Sequence, residues 1–116
     1  MLTEPFALVI SALIEAPIAY LIVRLARWPC RGAMHAAAAS AVATAVTHPQ
    51  LWFTVVPWLS DRLGYWPAVA IGEIAVVLVE GALIAWMAQL KLQRAMLVSL
   101  VANVASFAVG AIGNFI

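Results

Sequence analysis

Two glutamates, Glu15 and Glu80, lie near the middle of long apolar segments of the chain. A charged carboxylate at the centre of a bilayer costs about 2.5–3.5 kcal/mol on insertion scales, so neither side chain is expected to face lipid. Facing each other in one layer, the two carboxyl groups can share a proton or a small cation. Asn103 falls at the same predicted depth, and its amide can donate a hydrogen bond to either carboxyl group. The alternative is that each glutamate is protonated or hydrogen-bonded and only holds helices together.

A second polar layer is predicted from Glu73 and His48. Glu73 lies seven residues before Glu80 on the same helical face, which places it about 10 Å further along the helix at 1.5 Å per residue. His48, in the run Thr47-His48-Pro49, falls at a comparable depth in the preceding apolar segment. Imidazole and carboxylate groups both titrate and both bind metal ions, so this pair is a candidate for the first contact with a proton or a divalent ion. Two ligands are too few to predict a metal site, and a structural His–Glu hydrogen bond is the alternative.

Small residues predict where helices pack closely. Ser99, Asn103, Ser106 and Gly110 follow at spacings of four, three and four residues and therefore form one stripe along a helix. Ala39 lies in the segment HAAAASAVATAVTHP, whose small side chains allow neighbouring backbones to approach in lipid. We therefore predict helix-packing roles for Ala39, Ser99, Ser106 and Gly110.

The elements that position these residues follow from composition. The chain has 116 residues, of which 66% are hydrophobic and only 9% charged, and its mean hydropathy is +1.06. Soluble domains carry about 25% charged residues. Charged or polar connections divide the chain into four apolar segments of roughly membrane-spanning length. We predict an all-α, polytopic membrane protein with one domain, residues 1–116, in which hairpin one covers about 5–58 and hairpin two about 66–116. The predicted spans run from about Pro5 to Val23, Gly32 to Trp58, Tyr65 to Gln89, and Arg94 to the C-terminus.

The distribution of basic residues predicts the orientation. Five of the six Lys and Arg residues follow spans one and three, namely Arg24, Arg27, Arg31, Lys91 and Arg94. Only Arg62, beside Asp61, follows span two. Because positive charge is enriched in cytoplasmic connections, both termini are predicted on the non-cytoplasmic side of a bacterial-type inner cell membrane.

The two halves of the sequence resemble each other. The first match is offset by 65 residues and the other two by 62, which a connection three residues longer in the first half reconciles. We interpret the halves as a parallel internal repeat, related by an axis along the membrane normal. The matches are 13–16 with 78–81, 33–34 with 95–96, and 42–44 with 104–106.

Several classes of protein lose support. The net charge is +1 and the basic residues form no stripe or tail, so no nucleic-acid partner is predicted. The single cysteine, Cys30, excludes an internal disulfide and any multi-cysteine metal site. No G-x-S-x-G, H-E-x-x-H or Walker-type run occurs, so an enzymatic function has little support. The sequence does not identify a cofactor.

In size, four-span layout and the glutamate of span one, Glu15, the chain resembles the small multidrug resistance transporters. The resemblance implies that Glu15 binds protons or a cationic substrate. The later aromatic and glycine motifs of that family are missing, and Glu80 in span three departs from its pattern. Two functions stay open: a proton- or cation-coupled transporter or ion-translocating protein, and a non-catalytic subunit or assembly factor of a larger membrane complex. A homodimer or a larger assembly is expected in either case.

Overall fold

The structure, a computed structural model, describes the backbone of residues 4–112 and the side chains of residues 8–109. All regular structure in this part of the chain is helical, and it contains no strand. α2, the π-helical turn and α3 join through residues with right-handed helical backbone angles, so they form one continuous rod. Residues 4–112 therefore form a bundle of four helical rods. The helical segments are α1 (Glu4–Ala26), α2 (Ala33–Gln50), a π-helical turn (Leu51–Val55), α3 (Val56–Leu63), α4 (Tyr65–Ala88) and α5 (Leu92–Ile112).

Three of the rods are long and apolar enough to cross a membrane, at Leu8–Ala26, Tyr65–Ala88 and Leu92–Val109. Their outward faces expose large apolar side chains, among them Leu13 at 68% and Trp86 at 72% exposure. Soluble monomers rarely expose contiguous apolar surface on this scale. The longest dimension of the bundle is 43 Å, close to the thickness of about 40–45 Å of a bilayer with its headgroups. These features indicate a membrane protein.

The rod that contains α2 is not among these three. α2 carries His35, His48 and Gln50, and most of its apolar residues are alanines of modest hydropathy. It lies between α1 and α4, which cover two of its sides. The predicted second span, Gly32 to Trp58, therefore stays a prediction.

The rods pack as a ring in which α1 contacts α2, α2 contacts α4, α4 contacts α5, and α5 contacts α1. Two contacts bring the basic connections together at one end. The backbone N–H of Arg31 donates to the carbonyl oxygen of Ala88 at 2.8 Å, and the guanidinium of Arg94 lies 5.4 Å from the ring centroid of Trp28. The opposite end carries the tight turn between α3 and α4 at Gly64, whose φ of +87° favours glycine.

The interior consists of two apolar clusters with a polar layer between them. The cluster near the basic end includes Ala19, Ile84 and Val98. The cluster near the opposite end includes Leu51 and Val76. Because Glu80 lies between Val76 and Ile84 on α4, its carboxyl group is held where neither end of the bundle gives direct access. Among residues 8–109, the buried polar residues are Glu15, Ser40, Thr44, Thr47, Glu80, Ser99 and Asn103.

Candidate functional site

The carboxyl group of Glu80 is the centre of the buried layer, since the residue is only 2% exposed. The side-chain amide of Asn103 on α5 donates to Glu80 Oε2 at 2.9 Å. On the other side, Thr47 Oγ1 on α2 lies 2.8 Å from Glu80 Oε1. Each oxygen of Glu80 is therefore hydrogen-bonded to a different neighbouring helix.

The orientation of the Asn103 amide is fixed by a second contact. Its Nδ2 lies 2.8 Å from the backbone carbonyl oxygen of Ser99, an atom that can only accept. The same nitrogen is 3.3 Å from Ser99 Oγ, and that hydroxyl donates to the carbonyl oxygen of Val77 at 2.8 Å. The donor end of the amide therefore faces Glu80, and the network ties α5 to α4.

Thr47 has one hydroxyl hydrogen and two acceptors within reach. Its Oγ1 lies 2.9 Å from the carbonyl oxygen of Ala43 as well as 2.8 Å from Glu80 Oε1. When Glu80 is ionised, the hydroxyl can donate to the carboxylate. When Glu80 carries a proton on Oε1, the carboxyl group can donate to Thr47, and Thr47 can donate to Ala43. The second arrangement is the one that makes both short contacts hydrogen bonds.

Glu15 on α1 completes the centre of the layer and is 3% exposed. Its carboxyl group interacts with the Glu80 carboxyl group and with the Ser106 hydroxyl. Ser106 Oγ also lies 3.3 Å from Ser11 Oγ, across the contact between α5 and α1. Glu15 Oε1 is buried and accepts no hydrogen bond from the described residues. The structure therefore brings Glu15, Glu80 and Asn103 together, with one carboxyl oxygen unsatisfied.

Glu73 lies beside this centre, at a groove on the outside of the bundle. The groove, of about 500 Å³, runs between α4 and α5, and apart from Glu73 and Asn103 its wall is almost entirely apolar. Glu73 is half-buried and interacts electrostatically with both Glu80 and Glu15. All six Lys and Arg residues lie in or next to the helix ends, so three acidic groups share an interior without a nearby permanent cation.

His48 is half-buried on α2, and its ring centroid lies 6.3 Å from that of Trp52 in a tilted arrangement. The predicted pairing of His48 with Glu73 stays a prediction. Among residues 8–109, no group of three or more His, Cys, Asp or Glu side chains could hold a metal ion.

The residues predicted to pack helices occupy different positions. Ala39 and Ser99 are fully buried inside the bundle, and Ser106 is half-buried where α5 meets α1. Gly110 lies outside the residues whose side chains are described. Ala39 and Ser99 therefore contact other helices of the same chain and are not exposed to a partner.

The sequence also carried a signal for three hydroxyls that were not predicted as site residues. Ser40, Thr44 and Thr47 follow at spacings of four and three, which places them on one face of α2. All three are buried. Ser40 Oγ and Thr44 Oγ1 neither accept nor donate a hydrogen bond among the described residues. The run of alanines around them favoured an interpretation as a packing face alone.

Comparison of the chain with protein-family models, with curated proteins and with solved structures finds no match. The likeness to the small multidrug resistance transporters therefore stays a prediction, and the candidate site depends on its own geometry.

Proposed function

We propose that this chain is a small membrane protein that binds and translocates protons or a small cation through the Glu15–Glu80 pair. The observation that supports this proposal is the contact of two buried carboxyl groups at mid-bundle, in a layer that contains no Lys or Arg. Ionisable residues inside membrane bundles most often belong to ion or proton pathways.

A purely structural role explains the layer less well. Polar networks that only hold helices together are stabilising when every member is satisfied, whereas a partly satisfied network is worse than an apolar core. Here one oxygen of Glu15 and the hydroxyls of Ser40 and Thr44 are buried without a hydrogen bond among the described residues. Three carboxyl groups also act on one another electrostatically. A layer with these costs is better explained by an exchangeable ligand than by packing.

The proposed placement has four spans in a bacterial-type inner cell membrane, with both termini on the non-cytoplasmic side. Two observations support it. The connections that carry Arg31 and Arg94 lie at the same end of the bundle, as the positive-inside rule requires for one cytoplasmic face. α2 is covered by α1 and α4, so neighbouring helices can compensate for its modest hydropathy.

The proposed parallel repeat is supported by the order of the ring. Exchanging hairpin α1–α2 with hairpin α4–α5 converts the α2–α4 contact into the α5–α1 contact, and both contacts are present. Glu15 and Glu80, the matched residues of the two halves, meet near the centre, as expected for equivalent positions next to a pseudo-twofold axis.

The test is a flux assay with purified protein in liposomes. The wild-type protein is expected to show proton- or cation-coupled flux that Glu15→Gln or Glu80→Gln abolishes. Asp61→Asn is the matched control, because Asp61 is an exposed acid at the turn between α3 and α4, and its flux should equal that of the wild type. Unaltered flux in both glutamate variants would refute the proposal.

The second candidate function is a non-catalytic subunit or assembly factor of a larger membrane complex. It is supported by the outward face of α2, where the small residues Ala38, Val42 and Ala45 are exposed on the least apolar rod of the bundle. A partner helix would shield this face. Ala38→Leu and Ala45→Leu should then release a partner that co-purifies in mild detergent, whereas Glu15→Gln should not. A stable particle without a partner would count against this function.

A further inference from the structure

We infer that the ion held at the Glu15–Glu80 pair is a proton shared by the two carboxyl groups, and that the Thr47 hydroxyl changes its acceptor when this proton leaves. The inference deepens the proposed function, on which it rests, because it identifies the translocated species. It depends on three features of the buried layer: the carboxyl–carboxyl contact, the two acceptors of Thr47, and the direction of the Asn103 amide.

The contact between the carboxyl groups requires a hydrogen atom. Carboxylate oxygens only accept hydrogen bonds, so two ionised groups in contact repel each other. Glu15 and Glu80 interact directly through their carboxyl groups, and the hydroxyl of Ser106 is a further polar neighbour of Glu15. A proton on Glu15 converts the repulsive contact into an O–H···O hydrogen bond to Glu80, whereas a proton on Glu80 Oε1 neutralises Glu80 and removes the repulsion. The pair is therefore built to hold one proton at a time.

Thr47 gives the pair two hydrogen-bonded states. With the proton on Glu80 Oε1, Glu80 donates to Thr47 Oγ1 and Thr47 donates to the carbonyl oxygen of Ala43, which lies 2.9 Å away. When the proton leaves, the O–H bond of Glu80 breaks and a new O–H bond forms on the Glu15 carboxylate or on a water molecule. The negative charge moves to Glu80, and the Thr47 hydroxyl turns to donate across the same 2.8 Å contact. Only O–H bonds change, and no oxidant or co-reactant is needed.

The Asn103 amide makes the site unfavourable for a metal cation. Its Nδ2 is held toward Glu80 Oε2 by the carbonyl oxygen of Ser99. An N–H group that points at the carboxylate presents its positive end where a metal ion would bind. Hard cations such as Ca²⁺ require six to eight oxygen ligands, whereas a proton requires only the two carboxyl oxygens in contact.

The titratable groups beside the pair are Glu73 on α4 and His48, which follows Thr47 on α2, whereas Tyr20, His35 and Tyr65 lie toward the helix ends. α5 contributes only Asn103, Ser99 and Ser106 to the layer, none of which titrates, and α1 contributes Glu15 itself. Glu73 interacts electrostatically with both members of the pair. Variants of Glu73 must therefore be measured separately from those of the pair.

Infrared spectroscopy of the purified full-length chain in lipid vesicles tests the inference. The wild type should show the C=O stretch of a protonated carboxyl group, and the band should shift in D₂O because its hydrogen exchanges. Glu15→Gln and Glu80→Gln should each remove it, whereas Glu73→Gln should leave it in place. Titration with NaCl, KCl or MgCl₂ at constant pH should not change its intensity.

Thr47→Val provides a second measurement that does not alter a carboxyl group. Loss of the hydroxyl should shift the frequency of the band, because Glu80 loses a hydrogen-bond partner on Oε1. Thr44→Val is the matched control, since Thr44 is equally buried on the same face but its hydroxyl has no hydrogen bond among the described residues. This comparison remains decisive if a glutamine variant does not fold.

The outcomes separate the inference from the proposed function. A missing band, or a band that one of the salts removes in a saturable way, would overturn the shared proton even if liposome flux still depended on Glu15. Suppose instead that the wild type shows the band, that Glu15→Gln and Glu80→Gln each remove it, and that liposome flux is unchanged in both variants. This result would support the shared proton and refute translocation.

Discussion

Replacing Glu80 by leucine should destabilise the protein less than replacing Asn103, the residue whose amide donates a hydrogen bond to Glu80. After Glu80→Leu, the Thr47 hydroxyl keeps the carbonyl oxygen of Ala43 at 2.9 Å. The Asn103 amide keeps the carbonyl oxygen of Ser99 at 2.8 Å and Ser99 Oγ at 3.3 Å. Side-chain hydrogen bonds between membrane helices contribute about 0.6 kcal/mol each on average. Losing the bonds of Glu80 to Thr47, Asn103 and Glu15 should therefore lower the free energy of unfolding by about 2 kcal/mol, and the desolvation recovered by removing a carboxyl group reduces this loss.

Asn103→Leu removes the same interaction from the other side and leaves Glu80 Oε2 buried without its donor. A buried polar atom left unsatisfied costs about 1–3 kcal/mol, and more for a charged group. The free energy of unfolding should therefore fall further in Asn103→Leu than in Glu80→Leu. The double variant should be more stable than Asn103→Leu alone, since the carboxyl group that was left without a donor is then absent. Such non-additivity is the signature of two residues in one network.

The assay is reversible unfolding in mixed detergent micelles, followed by far-ultraviolet circular dichroism. Leu78→Ala is the control on α4, because Leu78 is 56% exposed on the outer face of the bundle. The change in the free energy of unfolding of this variant should be close to zero. An equal loss of stability in Glu80→Leu and Asn103→Leu, or additive losses in the double variant, would refute the reasoning. In that case Glu80 would be a structural residue that the bundle requires.

Three further predictions concern helix packing, the exchange of partners at Thr47, and orientation. Gly81→Val should lower the free energy of unfolding by about 1–3 kcal/mol in the same assay through overpacking. A Cβ at Gly81 would lie 3.2 Å from the Cα of Met96 and against the Met96 side chain. Ala82→Val, at the exposed neighbouring residue, is the control. Thr47→Val should slow liposome flux about tenfold or more, since a hydrogen bond to a charged group contributes about 1.5–3 kcal/mol, whereas Thr44→Val should not. Cys30, the native single cysteine in the basic connection, should react with an impermeant maleimide in inside-out vesicles and not in right-side-out vesicles; the reverse pattern would contradict the proposed orientation.

Charge and apolar length were sufficient to predict most of the rods. The first predicted span ends at Val23 and α1 ends at Ala26, while the third ends at Gln89 and α4 at Ala88. These boundaries are predictable because the arginines and polar residues that follow each apolar segment lie outside the hydrocarbon region of a bilayer. The π-helical turn at Leu51–Val55 was not predicted. There the N–H of Val56 donates to the carbonyl of Leu51, and the side chain of Leu51 occupies the space left by the missing Cβ of Gly72. Such a local change of helical register depends on a neighbour distant in sequence.

The site was predictable in depth but not in detail. Because the rise of a helix is fixed, counting from the ends of the spans places Glu15, Glu80 and Asn103 in one layer. The same count cannot give the rotation of α2 about its axis, which decides whether a threonine or an alanine faces Glu80. Thr47 was therefore missed as a partner. For the same reason the buried position of Ala39 inside the bundle could not be distinguished from an exposed docking face.

The two apolar clusters matter to the site as much as its polar groups. They exclude water from both ends of the layer, and interactions between charges strengthen as the surrounding dielectric falls. In water, Glu73 and Glu15 would be largely screened from each other, whereas in this interior each responds to the charge on Glu80. A proton that arrives at one carboxyl group therefore changes the affinity of the other two. Depth alone could bring the three acids together, but the apolar clusters on both sides of them strengthen the electrostatic interactions among the acids.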